Sequence, residues 1–320
     1  MSQKSKPVFI ISFLLAVVLA VFFVFKPRPS AQTYTVISSN FIGYDLARAV
    51  LGSSDDVRML LKPGAEAHTY DPTPKDILEL QSTDLFIYTG GESDEWVRRL
   101  ISSNQLSSTN TLRLMDSVEL KEEELVEGME DTHEHEEHEE DTESPEYDEH
   151  IWTSPKNAIL LTRAVEARLV ALFPDRASEL HQNADVYIAQ LSTLDQQFSE
   201  LVQSSARSEL IFADRFPFRY FVDTYNLDYY AAFPSCSDQT EASAATVAFL
   251  IDKVKSDHIP VVLKIELSSD KLARQISEST GAKIRELHAA HNITKDDFEA
   301  GVTLPDLLKR NLKVLKEALN

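Results

Sequence analysis

An α/β architecture of two Rossmann-like lobes, each built on a parallel sheet and joined by one long backbone helix, is predicted by three observations. Short apolar runs alternate with amphipathic segments in a β-α-β-α rhythm. The rhythm stops near residue 115 and starts again after Ser208. Between the two stretches a single apolar stripe at helical spacing continues for about thirty residues.

Residues 1–32 form a separate leader. After Lys4 and Lys6 the chain is apolar over residues 8–25, then turns to Lys26-Pro27-Arg28-Pro29. This run exceeds the usual apolar stretch of a cleaved signal, about 7–15 residues, and approaches the length that crosses a bilayer. Ala31 offers a poor cleavage position because Pro29 lies two residues before it. An uncleaved anchor on the outer face of the cytoplasmic membrane is expected, with release after signal cleavage as the alternative.

The first lobe occupies residues 33–155. Strands are predicted at 33–38 (TYTVIS), 57–61 (VRMLL), 85–88 (LFIY) and 111–115 (TLRLM), with helices near 41–51, 74–81 and 94–102. Within it, residues 119–149 cannot pack as a core. Extended by His150, the stretch carries seventeen carboxylates against one lysine, so sixteen of the 21 net negative charges lie in a tenth of the chain. Its middle is expected to be a solvated loop. His133, His135 and His138 alternate there with carboxylates, a donor array suited to loose capture of a borderline ion such as zinc. His150 stands where apolar bulk returns, at Ile151 and Trp152.

Residues 156–206 are read as helical. From Asp175 onward, apolar residues fall at Leu180, Ala184, Tyr187, Leu191, Leu194, Phe198 and Leu201, at spacings of four and three. At a rise of about 1.5 Å per residue such a helix reaches about 40 Å, enough to serve as an intramolecular spine. The second lobe, residues 207–320, repeats the rhythm with strands at 209–212 (ELIF), 228–232 (DYYAA), 261–265 (VVLKI) and 283–287 (KIREL). Helices are predicted near 216–225, 241–255 and 270–280.

Several function classes are excluded. No basic patch or nucleic-acid motif occurs. The eight glycines form neither GxGxxG nor a P-loop. The single cysteine, Cys236, rules out an internal disulfide framework.

In open α/β sheets, ligands bind beyond the carboxyl ends of the strands. There this chain places His68 in KPGAEAHTYDPTP, Asp214 after ELIF, Cys236 and Glu241 after YYAA, Glu266 after VVLKI, and His288 and His291 after KIREL. His181 on the spine and His258 read instead as single hydrogen-bonded residues.

GAEAHTYDPTP, the acidic His-rich loop, EHIWTSPKNA and the long helix together resemble the zinc and manganese solute-binding proteins of bacterial ABC importers, the cluster A-I family (solute-binding protein family 9). The similarity covers most of the chain after residue 33. It implies His68 as one ligand, from a motif similar to GAEAHTYDPTP, and His150 as another, from a motif similar to DPHIWLDP. The family's third ligand, in a motif like FHDAFGYF, falls on Ala213, which has no donor. The fourth, an acid in a motif like LDPL, falls on His288. The expected metal set is therefore His68, His150, His288 and Glu241, with Asp214, Cys236, His291 or a water as other candidates for the open place. His133, His135 and His138 are auxiliary.

The resemblance implies an extracytoplasmic high-affinity zinc receptor, monomeric and not an enzyme, that delivers its ion to a membrane permease. Manganese binding, a zinc-dependent hydrolase and a surface zinc-storage or adhesion protein are the alternatives. A hydrolase needs an open coordination position and a nearby base, and the HExxH helix that most compactly supplies them is missing from the sequence.

Overall fold

The computed structural model describes residues 35–66, 70–129, 146–235 and 242–320. The apolar run at 8–25, His68, His133, His135, His138, Cys236 and Glu241 lie outside the described residues.

Two four-stranded parallel sheets carry the fold. The first is built from β1 (Val36–Ser38), α1 (Phe41–Leu51), β2 (Val57–Met59), α2 (Pro74–Leu80), β3 (Leu85–Tyr88), α3 (Glu95–Ser102) and β4 (Thr111–Arg113). Helices α4 (Pro155–Leu172) and α5 (Ala177–Ser204) follow. The second sheet comprises β5 (Glu209–Arg215), α6 (Arg219–Tyr225), β6 (Asp228–Phe233), α7 (Ala244–Ser256), β7 (Val261–Lys264), α8 (Lys271–Thr280) and β8 (Lys283–Glu286), closed by α9 (Lys295–Glu299) and α10 (Leu304–Ala318). The strand orders are β2-β1-β3-β4 and β6-β5-β7-β8, all pairs parallel. The two sheets thus share one topology, with the direction of winding reversing between β1 and β3 and between β5 and β7. Those reversals open a crevice at the carboxyl ends of the strands.

Both faces of each sheet are buried, and the alternation of side chains sorts them. Val36, Leu85 and Ile87 of the first sheet join Phe212 and Leu263 of the second in one core with Leu191 and Phe198 of α5. Ile37 and Phe86 face an outer cluster with Trp96 and Val97. Ile211, Ala213 and Val262 face another with Leu250 and Ile276. The spine is therefore part of a continuous core that both sheets share. Among α5 positions, the predicted stripe from Leu180 to Phe198 is buried.

Local chemistry sets the element ends. The Asn40 side chain accepts the Gly43 N–H at the start of α1, and Gly52 at φ +74° ends it. Thr73 and Asp76 form a reciprocal capping box on α2.

The acidic segment differs from its expectation at both feet. Residues 119–129 and 146–148 are folded onto the second lobe. Lys121 N–H donates to the Tyr220 hydroxyl, Asp148 N–H donates to the Lys121 carbonyl, and Glu122 bridges Tyr147. Leu120, Val126 and Met129 supply the apolar contacts that charge counting overlooks. Gly128, at φ +93°, lies so close to Phe249 that a Cβ would meet its ring. No helix among the described residues is long and apolar enough to cross a membrane.

Candidate metal centre

The stretch 148–152 enters the core and presents His150 at the crevice. Ile151 and Trp152 are fully buried, and the Trp152 indole N–H donates to the Ala289 carbonyl at 2.7 Å. This bond ties the His150 turn to the loop after β8. Asp148 accepts the His150 backbone N–H at 2.7 Å and lies 3.2 Å from its Nδ1. Backing of this kind places a proton on Nδ1 and leaves the Nε2 lone pair able to accept a proton or an ion. Burial favours the neutral ring, but the charge and hydrogen bond of Asp148, together with the charges of Glu149 and Glu123, outweigh it and raise the His150 pKa.

His150 Nε2 lies 3.2 Å from His291 Nδ1, with the rings perpendicular. Two imidazole nitrogens facing each other across this distance are a pair that one ion can join. Glu149 completes the cluster: among the described residues, Glu149, His150 and His291 offer ligand atoms within 4.8 Å of one another. Glu149 is 1 % exposed, and burial pushes its carboxyl up to about 7 against the opposing charge of His150 and the hydrogen bonds of Ser93.

The loop that carries His291 is over-determined. Ala290 adopts φ +59°, a left-handed conformation that disfavours a residue with a Cβ. The Glu266 carboxylate offsets that strain by accepting the backbone N–H groups of Ala289 at 2.7 Å and His291 at 3.3 Å. Across the crevice, the Asn292 amide donates to the carbonyls of Lys62 and Ala65, and Gly64 N–H donates to the Ile293 carbonyl. Arg215 pairs with Glu66 at 3.4 Å. The loop leading to His68 is thereby stitched to the loop bearing His291. Together they border a cavity of about 120 Å³ lined by His150, His291, Glu66, Arg215, Ser235 and Glu266.

His150 and His291 are brought together; His288 does not join them. Its Nδ1 accepts the Ala290 N–H at 2.9 Å and faces Glu266 at 3.4 Å, while its buried Nε2 has no hydrogen-bond partner. The left-handed turn at Ala290 separates the two histidines, a signal hidden from linear spacing. Asp214 is spent on structure: it accepts from the Ser268 hydroxyl and from the backbone N–H groups of Ile265 and Arg215. Ala213 packs in the outer cluster of the second lobe. Of the other histidines, His181 pairs with Glu166 at 2.5 Å and His258 Nδ1 lies 3.0 Å from the Ser256 carbonyl.

Two parallel-sheet lobes that share a donor-lined crevice at their strand ends define a two-lobed solute-binding protein. Residues 36–318 match the family described as ZnuA, zinc-uptake complex component A, periplasmic, and the chain belongs to that family. The zinc-binding lipoprotein AdcA of Streptococcus pneumoniae is 29% identical over 309 residues, 96% of this chain and 60% of AdcA. The chain thus spans about three-fifths of that relative's length. The high-affinity zinc uptake system protein ZnuA of Bacillus subtilis is 30% identical over 287 residues, covering 89% of this chain and 87% of that protein. Among solved structures, the Zn(II)-bound ZnuA-like domain of S. pneumoniae AdcA superposes with a TM-score of 0.72 at 26% identity, covering 90% of this chain and 99% of that one. The metal-dependent lipoprotein YcdH of B. subtilis gives 0.74 at 25% identity, with 90% and 100% covered.

Proposed function

We infer that this chain is an extracytoplasmic zinc receptor that hands its ion to the membrane permease of an importer. The observation that carries the reading is the opposed pair of His150 Nε2 and His291 Nδ1 at 3.2 Å, inside a crevice between two lobes. A shell weighted toward imidazole favours zinc over the harder manganese ion. His291 takes the place that the family motif assigns to His288. His68 follows Glu66 in the chain, and Cys236 and Glu241 follow Ser235; Glu66 and Ser235 line the cavity, and the three later residues are the further donors of this reading. Attachment to the membrane rests on residues 8–25. Competition titration with a zinc chelator of known affinity tests the reading: one tight site per chain supports it, and the lack of any tight site rejects it.

The pH dependence of that site has a definite sign. Zinc binds neutral imidazole, so protons compete with it. Because the His150 pKa is raised, competition begins above the ordinary histidine value of about 6.5. With two imidazoles in the shell, affinity should fall more than about tenfold for each pH unit below about 6. Titrations between pH 5.5 and 8 check this. A change of less than about threefold across that range would remove histidine from the shell.

The segment 130–145 is assigned the looser role. Deleting residues 132–140 is expected to remove weak additional zinc sites while the tight site and the melting temperature persist. Calorimetric titration in which the tight component disappears would refute this division.

A further inference from the structure

We propose that Glu149 is a positioning residue for His291: its carboxylate engages one ring nitrogen of His291 and turns the other toward His150, where zinc is received. The inference rests on the zinc reading above and deepens it. Glu149 Oε1 lies 3.6 Å from His291 Nε2, the nitrogen remote from His150. His291 Nδ1 is the atom that faces His150 Nε2.

The carboxylate is itself held in place. Ser93 donates its hydroxyl to Oε1 at 2.5 Å and its backbone N–H to Oε2 at 3.1 Å. Gly91 provides the room, since a Cβ there would lie 2.2 Å from Oε2. A buried carboxylate is costly to desolvate unless its oxygens are satisfied and a positive charge is near. Ser93 meets the first condition, and a bound dication meets the second. Asp148 already stands behind His150 in the same way. Two consecutive acids therefore back two imidazoles, and their combined charge balances that of one zinc ion without either acid entering the shell.

The test uses the full chain with Zn2+ for affinity and Co2+ as a spectroscopic probe. Glu149→Gln is expected to weaken zinc about 10- to 100-fold while the Co2+ ligand-field bands keep their position and intensity. Glu149→Ala combined with His291→Ala should bind no more weakly than His291→Ala alone, because the acid acts through that ring. Affinity within about twofold of the parent in Glu149→Gln, Co2+ bands altered as in His291→Ala, or additive losses in the double variant would each overturn the proposal. The second of these outcomes would make Glu149 a ligand. If the Glu149 variants do not fold, Ser93→Ala releases the carboxylate without removing it and decides the matter by the same readouts. A parent chain without tight zinc binding rejects the receptor reading; a tight parent with an inert Glu149 rejects this inference alone.

Discussion

His150→Ala is expected to weaken zinc binding at least about a hundredfold. A closed zinc site is worth about 10–16 kcal/mol, shared among about four ligands, so each contributes roughly 3 kcal/mol. That corresponds to about two orders of magnitude in Kd. His150 carries more than its ligating nitrogen. Asp148 is buried beside it, 1 % exposed, and His150→Ala removes the ring nitrogen that faces this carboxylate while the backbone N–H bond stays. His291→Ala is expected to cost more than His288→Ala, because His288 Nδ1 is already engaged by the Ala290 N–H. His181→Ala and His258→Ala serve as controls and should stay within about twofold of the parent, since both rings make local contacts distant in the chain from the cluster. Chelator competition at constant pH measures all five. His150→Ala binding within about threefold of the parent would end the assignment of this crevice as the zinc site.

The architecture was legible because its elements obey local rules. Residues 41–51 are bounded by an asparagine cap and a glycine at positive φ, and the predicted limits coincide with α1. The spine declares itself through seven apolar residues at alternating spacing, from Leu180 to Leu201, six of them buried. The strands were harder to bound: TLRLM ends as a strand at Arg113 because Leu114 and Met115 turn into a short 3₁₀ segment and drop into the core. Helix α10 was not predicted, although Thr303 with Asp306 forms a capping box and Pro305 opens its first turn. The placement of His150 at the crevice could be read from its motif. The distinction between His288 and His291 could not, since it depends on one alanine at φ +59° and on Glu266 accepting two backbone N–H groups from a loop 23 residues on. Glu149 was legible only as charge. Its neighbours come from two stretches far apart in the chain, the turn of Gly91 and Ser93 and the loop of His291, and no linear pattern joins them.

Trp152→Ala is expected to lower the free energy of unfolding by about 3–5 kcal/mol, the range for removing a large aromatic side chain from a packed core. That is a large part of the about 5–15 kcal/mol that holds a typical domain together. Trp152 is fully buried in the core that both lobes share, where close packing limits collapse into the space left behind. The indole also links the two halves of the site through its bond to the Ala289 carbonyl, and its ring lies 5.5 Å from those of both His150 and His291. Trp152→Phe separates these contributions. Phenylalanine refills most of the volume but cannot donate to Ala289, so its stability loss should be smaller, with about 1 kcal/mol from the missing hydrogen bond. Zinc affinity should nevertheless fall, because the carbonyl that anchors the His291 loop loses its partner. Urea unfolding of the metal-free chain and zinc competition on both variants provide the measurements. A loss below about 1 kcal/mol in Trp152→Ala would show that this residue is not a keystone of the shared core. Unchanged zinc affinity in Trp152→Phe would show that the Ala289 bond does not position His150 and His291 for an ion.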